Sequence, residues 1–292
     1  MSTFNGRLEN PQLHFIAIDD FSVNNHDASV FFVSHAHSDH LTDFRYYGAT
    51  LFSSNSRKTL YCTHITKRLL QIQYNNISDD NVVSLNVGES TILRAPQNSE
   101  NELLVTVTLL PTLHVLGSVM FLFQCQGISA LYTGDFRIHT GDVAKIKGLH
   151  DKDGNPLKIT DLYLDTTFAN TKHLWFPKRD CAVRKIIKLS EEWLDERETN
   201  LVALRIVSYY GYESLIIDLS KALKTKIVVE DSDFPHFKYI PEMDEFITFS
   251  DSISSDTFRG KRPRMDSNRL GRVHVCPDFR YNCNRCFDET RT

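Results

Sequence analysis

The stretch Ser34-His35-Ala36-His37-Ser38-Asp39-His40 constrains this chain more than any other. It places three imidazoles and a carboxylate directly behind the apolar run Val30-Phe31-Phe32-Val33. A short apolar run bounded by polar residues reads as a buried strand. The cluster therefore sits at a strand end, where a loop presents side chains from a rigid scaffold. Alternate residues of extended backbone point to the same side, so His35 and His37 can face one metal ion. Asp39 and His40 follow as the chain turns and can face a second metal nearby. Histidine and aspartate donors together suit zinc or a related divalent ion. A polar loop that happens to hold three histidines is the bland alternative, and it is a poor one for a chain with 12 His in 292 residues.

The same arrangement recurs along the chain. The apolar stretch 14–18 reads as a strand that delivers Asp19. Residues 103–110 alternate as a strand, are stopped by Pro111, and lead to His114. Residues 128–132 form a strand ending at Thr133-Gly134-Asp135, and 162–164 one ending at Asp165. Alone, His114 or Asp135 would more often be an ordinary satisfied polar residue. At strand ends, beside the histidine cluster, they read as ligands at one rim of a β-rich scaffold. Further strands fall at 59–62, 82–85, 91–94 and 119–124. Thr63 can cap a helix over 64–73, a short helix can start within 39–47, and Asp180 can cap a helix running to about 196. From there the pattern alternates: strand 201–207, helix 213–223, strand 226–229. That is βαβ grammar and implies a parallel sheet. The chain divides on this reading into residues 1–158 and 159–292.

Composition excludes some classes. Charged residues at 24% and apolar ones at 41% indicate a folded chain with a real core. A net charge of −4 excludes a generically basic nucleic-acid binder, so phosphate contact would need a local basic patch or bound metals. The run Arg259-Gly260-Lys261-Arg262-Pro263-Arg264 is one such patch; import into the nucleus or phosphate contact weighs equally against a solvated loop. Cys62, Cys125 and Cys181 read as ordinary buried thiols. The polar opening 1–11 reads as no leader, and no apolar run approaches the ~18 residues of a membrane span. A reducing intracellular setting without disulfides and without a membrane follows.

Taken together, the histidine cluster, His114 and Asp135 resemble the signatures of the metallo-β-lactamase fold hydrolases. The segments Thr108-Leu109-Leu110-Pro111, Gly117-Ser118-Val119-Met120-Phe121-Leu122-Phe123, Leu131-Tyr132-Thr133-Gly134-Asp135-Phe136-Arg137, Tyr163-Leu164-Asp165-Thr166-Thr167-Phe168 and Tyr210-Gly211-Tyr212-Glu213 narrow the match. They are similar to the DNA-processing β-CASP branch and its Artemis-like nucleases. The resemblance implies an α/β fold: an αββα metallo-β-lactamase sandwich, here its N-terminal part in 1–158, with a β-CASP α/β domain in 159–292. It implies that His35, His37 and His114 hold one zinc, that Asp39 and His40 serve a second metal (Zn2+, Mg2+ or Mn2+), and that Asp135 bridges the two. Asp19 would orient a ligand, and Asp165 would support the site or its water; Asp19, Asp39, Asp135 and Asp165 form the catalytic carboxylate set. The implied function is a metal-dependent DNA nuclease, a 5′-3′ exonuclease or structure-selective endonuclease acting through metal-activated water. DNA ends, overhangs, hairpins or crosslinked ends would be its substrates, and the nucleus its location, in double-strand-break or interstrand-crosslink repair.

Three departures from the family pattern stand out. Leu113 and Leu116 occupy positions where the family usually carries Gly and Pro. The family's structural zinc site is matched by His274 and Cys276, whereas Val228 stands at the other His position; Cys283 and Cys286 offer a CxxC that could complete a rebuilt site of His274, Cys276, Cys283 and Cys286. Finally, the chain reads as truncated at its C-terminus, without the closing strands of the first domain and without the tail that binds a kinase of end joining, although other end-joining proteins remain candidate partners. The competing reading is therefore a non-catalytic truncated member that binds DNA or a repair partner. A third, a same-fold hydrolase acting on RNA or a small ester or lactam, fits the β-CASP-like half least.

Overall fold

The computed structural model describes residues 4–74, 77–95, 103–230, 234–249 and 271–277, and divides into two compact units, 1–169 and 170–292. In the first unit β1 (Ile16–Ile18), β2 (Val30–Phe32), β3 (Thr59–Thr63) and β4 (Val82–Leu85) form a parallel sheet in that order. A second sheet runs β5 (Ser90–Arg94), β6 (Leu104–Pro111), β7 (Val119–Cys125), β8 (Ile128–Tyr132) and β9 (Asp161–Tyr163). It is antiparallel except for the parallel β8–β9 pair.

The two sheets face each other. Ile16, Ile18 and Phe32 from the first meet Val105, Val107, Leu109, Phe121 and Phe123 from the second in one core. Strand β7 shows why its sequence is apolar at nearly every position. Successive side chains point to opposite faces, so Val119, Phe121 and Phe123 enter the inter-sheet core while Met120 and Leu122 enter another on the far side. That outer core is closed by Ile146, Phe136, Ile138, Leu149, Leu157 and Ile159. Among the described residues this cover consists of loop and the short 3-10 turns Val143–Lys145 and Lys147–Leu149, whereas the first sheet carries α-helices on its outer side. There Phe31 stacks on Phe21 and meets Phe52 edge-on, and Phe44 of α1 (Phe44–Leu51) packs against both Phe21 and Phe52. Helix α2 (His64–Gln73) starts where its sequence predicts: the Thr63 hydroxyl accepts from the Thr66 N–H at 3.2 Å. The short helix expected to start within 39–47 does so at Phe44 as α1, preceded by a 3-10 turn, Ser38–His40. Asp43, in the left-handed region at φ 59°, separates the two.

In the second unit β10 (Val202–Ile206), β13 (Val273–Pro277), β11 (Ile227–Val229) and β12 (Ile247–Phe249) lie in that order in a parallel sheet, as the alternating pattern implies. Helices α3 (Arg179–Glu196) and α4 (Glu213–Leu223) bury Leu194, Ile216, Leu219 and Leu223 against Ile227, Val229, Ile247 and Val273. Helix α3 begins one residue earlier than its expected cap. Lys178 is the N-cap, and Asp180 lies in the first turn, paired with Arg184 at 3.0 Å. The compact units divide between Ala169 and Asn170 rather than at 158/159, because β9 joins the first unit's sheet through β8. No helix among the described residues is long and apolar enough to cross a membrane.

Candidate metal centre

The ends of β2, β6 and β8 supply the site. Val33 donates its N–H to the Tyr61 carbonyl at 3.0 Å, holding the chain in the sheet up to the cluster. The 3-10 turn then reverses it, with the His40 N–H on the His37 carbonyl at 3.1 Å. The result brings His35, His37, His114 and Asp135 together, one ligand atom of each lying within 4.8 Å of all the others. His35 Nε2 is 3.0 Å from His37 Nδ1, and His114 Nε2 is 3.4 Å from the same atom and 3.5 Å from Asp135 Oδ2.

Those donors fit a cation. Three imidazole nitrogens and a carboxylate oxygen gathered this closely form a donor set of the kind that binds zinc. Imidazole nitrogens this close cannot all carry protons, and His35 shows it: burial first, then the neighbouring His40, His37 and His114, push its pKa far below the ordinary histidine value. A neutral imidazole is the form that ligates a metal.

Behind the centre lies a buried polar network. Asp19, at φ 56°, accepts from the Ser34 N–H at 2.7 Å, the Ser34 hydroxyl at 2.6 Å and the Tyr132 hydroxyl at 2.9 Å. Its Oδ2 is also 2.8 Å from His40 Nδ1, while His40 Nε2 is 3.2 Å from Asp135 Oδ1. His40 thus bridges the buried carboxylate to the rim carboxylate. Burial opposes its charge, but Asp19 and Asp135 together outweigh that and raise its pKa to about 10. The hydrogen bond from His40 likewise holds the Asp135 carboxyl below its usual range. Tyr132, buried beside Asp19, has its phenol pushed well up.

Two residues of the expected carboxylate set lie elsewhere. Asp39 Oδ2 is 3.8 Å from His40 Nε2, but its side chain is 78% exposed and stands outside the four-residue group. Asp165 organises its own turn, accepting from the Thr167 N–H at 2.9 Å and the Thr167 hydroxyl at 2.6 Å, while its N–H donates to Thr133 Oγ1 at 3.1 Å. His274 and Cys276 are buried two apart on β13, so both fall on one face of that strand. Val228, paired in register with His274, is fully buried and brings no donor atom. Cys283, Cys286 and the basic run 259–264 lie outside the described residues.

Ser34 and Tyr132 escaped the sequence reading. Ser34 adjoins the cluster, and its Oγ is 3.0 Å from His35 Nδ1; Tyr132 is a core aromatic whose hydroxyl only the fold brings to Asp19. Gly134 carries a related signal. It has φ 50°, and a Cβ there would stand 3.0 Å from both Ser34 Cβ and Oγ, so the Thr-Gly-Asp spelling reflects close packing on the site.

No family model matches the chain. Among curated proteins it is similar to "Protein artemis" of Gallus gallus, 38% identical over 253 residues that make up 85% of this chain and 34% of that one. The Danio rerio protein of the same name is 34% identical over 94% of this chain and 40% of its own length. "5' exonuclease Apollo" of Danio rerio is 30% identical over 76% of this chain and 35% of its own. The chain therefore spans about a third to two fifths of the length of the curated relatives it matches.

Proposed function

We propose that this chain, Artemis-like over most of its length, is a metal-dependent nuclease that cleaves DNA phosphodiesters in strand-break or crosslink repair. The observation that carries this reading is the convergence of His35, His37, His114 and Asp135. A divalent ion held by these four would supply charge opposite a phosphodiester and lower the pKa of a water molecule. The chain's own residues do the rest. His35 and His37 keep nitrogen donors in place from the end of β2, and His114 adds a third from the loop after β6. Asp135 offers one oxygen to this group and turns the other to His40, which is positioned in turn by Asp19. Such hydrogen-bonded partners fix the orientation of ligands. Zinc as the ion, a second ion at Asp39 and at His40 once its imidazole gives up the proton facing Asp135, 5′-directed or structure-selective cleavage, and nuclear action belong to the same proposal.

The test is cleavage of 5′-phosphorylated DNA by the intact chain, with and without chelation and zinc readdition. Asp135→Ala and His114→Ala should each abolish cleavage and bound zinc. Cleavage that survives both chelation and Asp135→Ala would falsify the proposal. One observation favours a second reading, a DNA-binding member without cleavage: the outward Asp39 leaves the second lobe of the site apart. Retained DNA affinity and zinc with no cleavage under any divalent ion would select it.

A further inference from the structure

We infer that the turn 170–176 is a stacking ledge for single-stranded nucleic acid, with Trp175 as its platform. Two observations lead there independently. The first is exposure: every residue from Thr171 to Phe176 is exposed, with Leu174 at 85% and Trp175 at 78%. Large apolar side chains held outward side by side mark a contact surface. The second is charge. From Lys172 to Arg179 the chain carries Lys172, Lys178 and Arg179 and no acidic residue, although the whole chain is net −4; farther along α3 Arg184 pairs with Asp180 and Lys188 with Glu192.

The turn is also ordered locally. The Asn170 side chain accepts from the Lys172 N–H at 3.0 Å and lies 2.9 Å from His173 Nδ1. The His173 ring is parallel to that of Phe176, with centroids 6.1 Å apart. Trp175 thus projects from a braced turn, followed by Pro177 and the basic start of α3. An exposed indole offers a π-face to any base, and neighbouring cations neutralise the backbone between stacked bases. The ring alone would serve a lipid surface or a protein groove as well. The cations Lys172, Lys178 and Arg179 flanking the ring, in a net acidic chain, favour a polyanion whose bases can reach the ring, which is an unpaired strand. The inference rests on the nuclease reading only for its biological setting, since binding is measured without cleavage.

Only two tryptophans are present, Trp175 and Trp193, so Trp193→Phe in the intact chain leaves Trp175 as the sole indole reporter. Phosphorothioate-linked dT20 should quench its emission. In the otherwise native chain, Trp175→Ala should weaken dT20 binding by about tenfold, the scale of one stacked base. Affinity for a blunt duplex should change less than twofold, and zinc content should stay the same. Unchanged dT20 affinity together with unchanged emission overturns the inference. Emission that responds only to phosphatidylserine vesicles, or only to protein concentration, also overturns it and assigns the turn to a lipid surface or to a second copy of this chain. Quenching by dT20 in a chain that shows no cleavage leaves the ledge standing and removes the nuclease reading.

Discussion

Asp19 is a hub of buried polar contacts, yet it holds no place in the four-residue group. Four donor atoms of Ser34, His40 and Tyr132 converge on its two oxygens. Asp19→Asn replaces one acceptor oxygen by an NH2 that faces donors, so a buried clash of donors follows. The variant should fold, melt several degrees lower, and bind zinc about 10–100-fold more weakly, as loss of an orienting partner does; equilibrium dialysis against a zinc indicator measures it. Glu213 is a second buried carboxylate, in the other unit. Burial pushes its pKa up, but His236 and the Gly211 N–H, 3.0 Å from both oxygens, outweigh it and hold the carboxyl below its usual range. A depressed folded pKa means stability present above the unfolded value, about 4.3, and lost as pH falls through the folded one. Glu213→Gln should therefore melt below the parent at pH 7, and the two should converge near pH 3; parallel melting curves at both pH values would refute this. At this scale the four residues that the fold brings together were legible as candidates because each stands at or just past the end of an apolar run. Ser34 and Tyr132 were not, because their partnership with Asp19 depends on the packing of two sheets far apart in sequence.

Strands were the most readable elements, since period-two alternation and strand-end polar residues survive in a single sequence. Turns were less readable. A helix start within 39–47 was legible, but not that Asp43 would take a positive φ and set that start at Phe44. The loop after β6 is the functional case. Leu113 adopts φ 57°, a conformation that costs an L-residue about 1–2 kcal/mol. The loop is held from its far side. The Gly117 carbonyl accepts from the Thr63 hydroxyl at 2.8 Å and the Thr66 hydroxyl at 3.3 Å, tying His114 to the start of α2. Gly117 has φ 82°, and a Cβ there would stand 3.0 Å from Ile65 Cβ and Cγ2. Gly117→Ala should thus displace the loop and reduce zinc affinity with little loss of helix content. Leu113→Gly should do the opposite for stability, raising the melting midpoint by a few degrees while zinc stays bound. Paired calorimetry and metal titration of the two variants separates strain at Leu113 from anchoring at Gly117.

At the scale of the whole molecule the two units own separate cores, one between the sheets of 1–169 and one around the parallel sheet of 170–292. The candidate metal centre belongs wholly to the first, because His35, His37, His114 and Asp135 all precede Ala169. Independent cores unfold as independent cooperative steps, so calorimetry of the intact chain should show two transitions. A ligand that binds only the folded form stabilises it by about 2.7 kcal/mol at a hundred times its dissociation constant. Zinc at the His35 group should accordingly raise one transition by several degrees, chelation should reverse it, and His35→Ala with His37→Ala should remove the shift. The second transition tests the other zinc reading. His274 and Cys276 share a buried strand face, but Val228 beside His274 brings no donor, so a four-ligand site there would need Cys283 and Cys286. If those cysteines complete it, the second transition also falls on chelation, Cys283→Ser abolishes that fall, and the double histidine variant keeps one zinc. If only the first transition responds, His274 and Cys276 are core residues of the sheet and the chain binds metal solely at the rim of its sandwich.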